Sequence, residues 1–528
     1  MRTFSFSFRD AMTVLLIIAV PFLIYFIVTD SKKPEIESPS YGGTLRIDVS
    51  TPLTSLNPVE VMASGSTYVF PLIYSYLAYP SENGNLEPDL AESWASEENG
   101  KIWRFFLRTD ARFHNGKLVT AEAVARSLSQ LIAERASDLN REIERISAHG
   151  NELIFYLKRP DRAFLEKISP LDIFDDADKT DSSVPIGSGP YRFDDRITTE
   201  KIQLKAFDEY YGGKPYIDTI ILTNVPDSDS AWYRLILGET DLTFNVSVGN
   251  MDYSRKMSSD FHFIRHNYPY VHMVLYNNKS ALFADKTIRK ALTMALDRRY
   301  FINRYFDPET QIATGYIVPD SPYHDATVIP VPYDPHEAQK ILRENGWWDH
   351  DGDGFLDKEG NPFEFELLVA EGPMDEIKII REIQLAFNDL GIRVHPRVLS
   401  MPDMVHDRLM PGIFDAAFIG FNGQEIIPEN CWQGDPNGMH NFGRYYNPQL
   451  DNILKEAREA GSESELVSLY QQLDRIISDD QPASFLYCKK TYDLVNANVK
   501  NLHLEKTRAH ATLLRRIASS YLQEKSLN

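Results

Sequence analysis

Cysteine is scarce in this sequence, and that scarcity limits how the protein can be stabilised. Only Cys431 and Cys488 occur among the 528 residues. Disulfides therefore cannot be the main source of stability, and a cysteine-rich metal cluster cannot be assembled. The sequence leaves two alternatives open for this pair, a disulfide formed outside the cytoplasm or two buried free thiols.

Basic residues are also too few for a general nucleic-acid-binding protein. Lys and Arg number 55 against 76 Asp and Glu, which gives a formal net charge of −21. Because affinity for nucleic acid comes largely from neutralising phosphates, this charge argues against such a partner. Hydrophobic residues at 43% and charged residues at 25% are typical of a globular chain.

The motifs of common hydrolases and nucleotide-binding proteins are absent as well. No Gly-x-Ser-x-Gly string occurs, and the nearest match, residues 187–190, ends in Pro190, which has no amide N–H to offer an oxyanion. None of the 13 His residues belongs to a His-Glu-x-x-His pattern, and the Gly-Lys pairs at Gly116 and Gly213 lack the following Ser or Thr of a phosphate loop. We therefore predict a protein without catalytic residues, without a cofactor and without a metal.

One long hydrophobic run is present, at the N-terminus. Residues 11–29 are uncharged over 19 positions, and as a helix they would reach roughly 28 Å, close to the thickness of a bilayer core. The run is longer than the apolar part of a cleaved signal, and it ends in Ile27, Val28 and Thr29 instead of small residues. An uncleaved membrane anchor is therefore favoured over a cleaved secretory signal, with residues 30–40 as an extended tether.

Strand and helix signals alternate from Gly43 onward. Apolar and polar residues alternate in residues 45–49, 103–107 and 153–157, as in half-buried strands. Helix starts are predicted at residues that can cap a first turn, namely Thr120, Asp285, Asp334 before Pro335, and Asn447 before Pro448. This mixture predicts an α/β fold.

An aspartate-rich segment imitates part of a calcium loop. Asp349, Asp351, Asp353 and Asp357 occupy its first, third, fifth and ninth positions. The twelfth position, which should be a bidentate Glu, is Gly360. A polar turn is the favoured interpretation, and a weak structural calcium site is the alternative.

Several blocks along the chain occur together in one known family. They are residues 86–94 (LEPDLAESW), 103–108 (WRFFLR), 111–117 (ARFHNGK), 187–191 (GSGPY), 210–215 (YYGGKP), 238–241 (GETD) and 288–298 (IRKALTMALDR). In content and order these blocks resemble the family-5 solute-binding proteins of ABC importers, a group that includes dipeptide-, oligopeptide- and nickel-binding proteins. The resemblance covers residues 41–505 and places His114 on a scaffold turn.

The resemblance implies a two-lobed, periplasmic-binding-protein-like fold of type II with an extra inserted domain, preceded by the N-terminal transmembrane or signal helix. The expected parts are the membrane segment and tether in residues 1–40, a main lobe from residues 41–78, 186–284 and 497–528, an inserted second domain in residues 79–185, and a second lobe in residues 285–496. Ligand bound between the lobes contacts both of them only when they close.

The expected ligand site differs from that of peptide-binding relatives. In those proteins an aspartate that follows a strand resembling residues 414–419 pairs with the amino terminus of the ligand, and here Gln424 takes its place. A buried ammonium needs a countercharge, so we expect Glu425, or Glu60 from elsewhere, to supply one. The predicted ligand-binding residues are Phe421, Asn422, Gln424, Glu425, Tyr68 and Trp432. For Tyr68 and Trp432 ordinary core packing is an equal alternative.

These features together predict a non-enzymatic, extracytoplasmic solute-binding component of an ABC importer. It would capture a peptide or another small polar solute, present it to permease subunits, and act as a monomer. Residues 11–29 would hold it at the cytoplasmic membrane. A membrane-anchored sensor or docking protein that does not transport is the alternative.

Overall fold

The body of the chain alternates strands and helices, as the residue pattern predicts. We describe it from a computed structural model covering residues 39–50, 56–59, 68–81, 85–134, 138–175, 186–197, 200–371, 374–422, 432, 441–502, 504, 506–507 and 510–523. Residues Tyr41–Asn528 make up one compact unit. The predicted anchor, residues 11–29, lies outside the described residues. Within the part that is described, no helix has the length and apolar character needed to cross a membrane.

The strands fall into one large mixed sheet and several small ones. In chain order they are β1 (Thr44–Val49), β2 (Ala78–Pro80), β3 (Leu86–Pro88), β4 (Ala91–Glu97), β5 (Ile102–Leu107), β6 (Ile143–His149), β7 (Glu152–Leu157), β8 (Tyr191–Ile197), β9 (Lys201–Ala206), β10 (Thr219–Asn224), β11 (Leu242–Val246), β12 (Phe261–Tyr276), β13 (Gln311–Ile312), β14 (Asp357–Lys358), β15 (Asn361–Pro362), β16 (Glu364–Ala370), β17 (Arg393–Leu399), β18 (Ala416–Asn422), β19 (Ala483–Asn496), β20 (Val499–Lys500), β21 (Lys506–Thr507) and β22 (Tyr521–Leu522). The large sheet has the order β17-β16-β18-β12-β19-β11-β1-β10-β9-β8, and β13 and β21 pair at its side.

Four of the α-helices begin at residues that the sequence predicts as caps. In chain order the α-helices are α1 (Phe70–Ile73), α2 (Ala121–Glu134), α3 (Asp138–Glu142), α4 (Phe164–Ile168), α5 (Ser228–Ile236), α6 (Val248–Arg255), α7 (Lys286–Met294), α8 (Arg298–Tyr305), α9 (Pro335–Glu344), α10 (Met374–Asp389), α11 (Met401–Asp403), α12 (Pro448–Glu459), α13 (Glu463–Asp480) and α14 (His510–Ile517). A 3-10 turn, Glu98–Gly100, and a π-helical stretch, Met404–Leu409, are also present among the described residues. The Thr120 hydroxyl accepts from the Ala123 amide, and Asp285, Asp334 and Asn447 accept from the amides of Thr287, Glu337 and Gln449. These four predicted starts are confirmed.

Two strands of unusual length join two hydrophobic cores. The first half of β12, residues 261–267, pairs with residues 490–496 of β19, and the second half, residues 271–275, pairs with residues 483–488. Ile264 and Val495 belong to a core shared with β1, β10 and β11, whereas Val274 and Leu486 belong to a core shared with β16 and α10. Both strands therefore pass from one hydrophobic core into another, and the register shifts at that passage.

A separate four-stranded sheet lies between β1 and β8 in the sequence. Its order is β4-β5-β7-β6, and all of its pairs are antiparallel. The strict alternation predicted for residues 103–107 is confirmed, since Trp103, Phe105 and Leu107 are buried and the residues between them are half-buried. This sheet and α2 enclose a core of their own.

The first signature block is held by the C-terminal helix. Asp89, in LEPDLAESW, accepts from Arg515 of α14 at 2.7 Å, and the Tyr211 hydroxyl donates to its other carboxylate oxygen. Asp89 and Arg515 are both buried. The contact between Asp89 and Arg515 therefore ties this block, next to the small sheet, to the C-terminal helix. Loss of either partner would leave the other as an uncompensated buried charge.

The Gly-Ser-Gly-Pro block serves backbone packing. The Gly189 amide donates to the Ile73 carbonyl at 2.7 Å, and a Cβ added at Gly187 or Gly189 would overlap that same peptide unit. Ser188 is fully buried, and its carbonyl accepts from the Ser75 hydroxyl. Close approach of two backbone segments, and not exposure of a serine nucleophile, accounts for the small residues here.

One of the two cysteines can be placed. Cys488 is a buried free thiol on β19, and its burial raises the pKa of the thiol to about 12. Cys431 lies outside the described residues. Of the two alternatives that the sequence leaves open, the free thiol is the one observed at Cys488.

Candidate functional site

The predicted ligand-binding block begins at the end of β18. Phe421 and the backbone of Asn422 close this strand, where they pair with Val271 and Tyr270 of β12. The side chain of Asn422 and all of Gln424 and Glu425 lie outside the described residues, as does Glu60. The countercharge predicted for a bound ammonium is therefore still a prediction.

Phe421 and Trp432 lie close to one another in an aromatic cluster. The Tyr316 ring centroid is 6.3 Å from that of Phe421 and 5.6 Å from that of Trp432. Phe421 is half-buried, whereas Trp432 is only 1% exposed and also packs on Phe485. This burial favours the core alternative for Trp432, and Phe421 is the more exposed member of the pair.

Tyr68 belongs to a different cluster. Its ring lies 4.4 Å from Phe244 and 5.1 Å from His510, and Phe244 and His510 are 4.9 Å apart. Tyr68 is 7% exposed. Tyr68 belongs to the core shared with β1, β10 and β11, whereas Trp432 belongs to the core that contains Tyr316 and Phe485, so these two predicted aromatic walls lie in different hydrophobic cores.

A polar group that the sequence interpretation missed lies beside Tyr68. The Asn245 carboxamide donates to the Tyr68 hydroxyl at 3.3 Å and accepts from the Thr491 hydroxyl at 3.0 Å. Asn245 has a φ of +53°, a left-handed conformation that is uncommon for residues other than glycine. Strained residues of this kind concentrate at functional sites.

A buried carboxylate lies directly behind Asn245. Asp493 is fully buried, accepts from the Asn245 amide at 3.1 Å, and has its other oxygen 3.2 Å from Nδ1 of His510. Burial raises the pKa of Asp493 to about 8, and the bond from Asn245 opposes that rise. The local signals in the sequence are polar residues within two otherwise apolar strands, Thr243 and Asn245 in LTFNV and Asp493 in YDLV.

His114 occupies a scaffold position. Its Nε2 lies 3.0 Å from the Gly189 carbonyl oxygen, and its ring meets Phe207 edge-on at 5.0 Å. Burial lowers the pKa of His114 to about 4, so the imidazole is neutral at physiological pH. These contacts agree with the structural role expected for it.

The aspartate-rich segment forms a tight polar turn. Oxygens of Asp349, Asp351 and Asp353 lie within 4.8 Å of one another. Each of the three carboxylates accepts from loop amides, and Asp353 also pairs with Arg393 at 2.5 Å. The loop joins α9 to β14, as helix-to-strand order predicts, and a weak calcium site is still only the alternative to the favoured polar turn.

Comparison with known proteins gives consistent matches along the body. The family model described as "Bacterial extracellular solute-binding proteins, family 5 Middle" matches residues 85–433. The oligopeptide-binding protein AppA of Bacillus subtilis is 28% identical over 499 residues, which cover 89% of this chain and 90% of AppA.

Solved structures match over the same region. The structure of AppA in complex with a nonapeptide has a TM-score of 0.80 at 25% identity and covers 92% of this chain and 100% of that one. NikZ of Campylobacter jejuni, in complex with Ni(L-His), has a TM-score of 0.78 at 21% identity and covers 90% and 99%.

Proposed function

Because this chain belongs to the bacterial extracellular solute-binding proteins of family 5, we propose that the solute it captures is a peptide. Its work as the solute-binding component of an ABC importer places it outside the cytoplasm, and its fold is the mixed α/β fold of that family. The peptide assignment is supported by the similarity to an oligopeptide-binding protein along almost the whole body. On this proposal the solute leaves chemically unchanged.

Capture of the solute by closing lobes is supported by one observation above all. The strands β12 and β19 each run from one hydrophobic core into the other. Strands that cross between bodies can bend at a few residues, and closure around ligand is then a hinge motion. We place the hinge where the register shifts, between Asn267 and Val271 of β12. The division of the chain into a main lobe, an inserted domain and a second lobe is part of this proposal.

Two ion pairs lie close to the proposed hinge. Arg265 of β12 pairs with Glu309 at 2.7 Å, and Arg255 of α6 pairs with the buried Asp307 at 3.2 Å. Each pair joins a residue before the register shift to the loop that follows α8, so closure about this hinge would have to keep or rearrange these two contacts.

The proposed peptide site lies between the Asn245–Tyr68 pair and Phe421. Asn245 provides amide hydrogen-bonding groups on the main-lobe side, and the half-buried Phe421 provides an apolar surface on the other. Gln424 and Glu425 follow Phe421 closely enough in the chain to contribute there, and Glu425 is the proposed countercharge for the amino terminus. To raise a closed form from 1% to 99%, the peptide must bind it about 5.5 kcal/mol better than the open form.

Calorimetry with the full-length protein tests the peptide assignment. We expect dialanine, trialanine or pentaalanine to bind, and we expect the amino-acetylated form of the best binder to bind at least tenfold more weakly because its ammonium is gone. Glu425→Gln should lower affinity for the free peptide and leave affinity for the acetylated one unchanged. If none of the three peptides binds, the peptide assignment is contradicted. If Glu425→Gln weakens binding of the free and the acetylated peptide equally, the role of Glu425 as countercharge is contradicted.

We further propose that residues 11–29 anchor the protein in the cytoplasmic membrane. The length of the uncharged run and the lack of a small-residue cleavage signal support this. The intact mass of protein from its native host distinguishes the two forms: the full-chain mass supports the anchor, and loss of the first residues contradicts it.

A membrane-anchored sensor that does not transport is the second candidate. The replacement of the expected aspartate by Gln424 favours it, since the ligand site has changed from that of peptide importers. Peptide uptake by cells lacking the protein decides between them. Lost uptake that returns with the wild-type chain supports import, and unchanged uptake supports the sensor.

A further inference from the structure

We infer that Thr491 and Asp493 are positioning residues of the solute site: from β19 they hold the Asn245 carboxamide and the Tyr68 hydroxyl in place for a peptide amide. This inference rests on the proposed function and names side chains that do not touch the solute themselves. Four observations support it. They are a bulge in β11, the left-handed backbone of Asn245, the position of Thr491 and Asp493 on one face of β19, and the partial exposure of Asn245.

The bulge lies in β11 opposite Asp493. Thr243 pairs with Leu494 and Val246 pairs with Tyr492, so β11 advances three residues while β19 advances two. One extra residue is thereby inserted in β11 between these pairs. Bulges of this kind re-aim a side chain and often lie beside functional sites.

Asn245 adopts a left-handed backbone conformation at the bulge. Its φ of +53° lies in the left-handed region, which Asn tolerates better than most residues with a Cβ but less readily than glycine. Such a conformation persists only where surrounding contacts determine it. Here they do, because the Asn245 amide and the side-chain oxygen are both bonded to β19.

The two supporting side chains are on one face of β19. Thr491 and Asp493 are two positions apart, which places them on the same side of the strand. The Thr491 hydroxyl donates to the Asn245 side chain, and the Asp493 carboxylate accepts from the Asn245 backbone. Together they fix the orientation of the carboxamide, which then donates to Tyr68.

Asn245 is also the point at which this network reaches the surface. Every other residue of β11 is buried, and Asn245 alone is half-buried. A carboxamide has two N–H donors and two acceptor lone pairs. With one donor directed to Tyr68 and one acceptor position used by Thr491, a donor and an acceptor are left to match a peptide amide group.

Two isosteric substitutions test the inference in the full-length protein. Thr491→Val removes the hydroxyl that orients Asn245, and we expect about fivefold weaker binding of the best alanine peptide. Thr243→Val is the matched control, because Thr243 is buried in β11, the strand of Asn245, and its hydroxyl has no hydrogen-bond partner among the described residues. The control should bind like wild type. Equal affinities for all three proteins, or an equal loss in both variants, would overturn the inference.

A glycine variant separates positioning from stability. Glycine adopts a positive φ freely, so Asn245→Gly should relieve strain and keep the melting temperature within a few degrees of wild type. We expect it to bind the same peptide about tenfold more weakly because the carboxamide is lost. Unchanged peptide affinity at unchanged melting temperature would overturn the role of Asn245.

Amide hydrogen exchange tests the inference separately from the proposed function. If wild type binds none of the alanine peptides, the peptide assignment fails, but exchange in residues 243–247 still reports on the bulge. We expect faster exchange there in Thr491→Val than in Thr243→Val. Equal rates in the two variants would overturn the positioning role whatever the solute is.

Discussion

The buried polar side chains of this protein have different roles, and the hydrogen bonds of each side chain show whether it belongs to the scaffold or to the proposed site. His114 looks catalytic in a sequence because it stands beside Asn115 and Gly116. Its bond to the Gly189 carbonyl and its packing on Phe207 show a scaffold residue. Asp493, within an apolar strand, is instead bonded to the strained Asn245.

The lowered pKa of His114 predicts a pH dependence of stability. Its value in the fold is about 4, below the ordinary 6.5, so the unfolded chain takes up this proton first as the pH falls. The contribution is fully present above about pH 6.5 and is lost towards pH 4. We expect wild type to lose up to about 2 kcal/mol more than His114→Gln between pH 7 and pH 5. Urea unfolding at both pH values measures this, and equal losses would contradict it.

Local elements were the best predicted part of the structure. Capping residues and apolar periodicity act over a few positions, so the starts at Thr120, Asp285 and Asp334 could be predicted from the sequence alone. The bulge at Asn245 could not, because it depends on pairing with a strand more than 240 residues away. Of the predicted ligand-binding side chains, Phe421, Tyr68 and Trp432 lie within the described residues, and their contact with a solute is still a prediction.

Gly187 provides an element-scale prediction. A Cβ at this position would overlap the Ile73 carbonyl oxygen, which belongs to backbone and cannot move aside cheaply. We expect Gly187→Ala to lower the free energy of unfolding by about 2 kcal/mol or more. Gly249→Ala is the control, since a Cβ there meets open space within α6 and should be neutral or slightly stabilising. Thermal unfolding compares them, and equal melting temperatures would contradict the close-packing account.

On the scale of the whole molecule, the account depends on two bodies joined by β12 and β19. The family resemblance predicted the two-lobed fold, and the comparisons confirm the family. Composition and periodicity alone could reach only the α/β class, because which strands share a sheet is set by contacts far apart in the chain. The predicted domain boundaries are still a prediction.

A hydrogen bond of Arg162 is a candidate for a contact that forms when the lobes close. It follows β7 of the small sheet, and its guanidinium donates to the Gly461 carbonyl between α12 and α13 at 3.0 Å. If the contact forms only when the lobes close, Arg162→Ala should weaken peptide binding by up to about fivefold. Arg159→Ala, at an exposed position nearby, serves as the control. Calorimetry gives both affinities, and equal values would contradict the contact's role.

The most direct test of closure is a distance between the lobes, measured with and without solute. Spin labels at Lys205→Cys in β9 of the main lobe and Lys455→Cys in α12 of the second lobe, both exposed positions, in a Cys431→Ser background, report this distance by pulsed electron paramagnetic resonance. The buried Cys488 thiol is expected to stay unlabelled. We predict that saturating alanine peptide narrows the distance distribution and shifts it to shorter values, with the peptide recovered intact. An unchanged distribution under peptide saturation that calorimetry has verified would contradict the account.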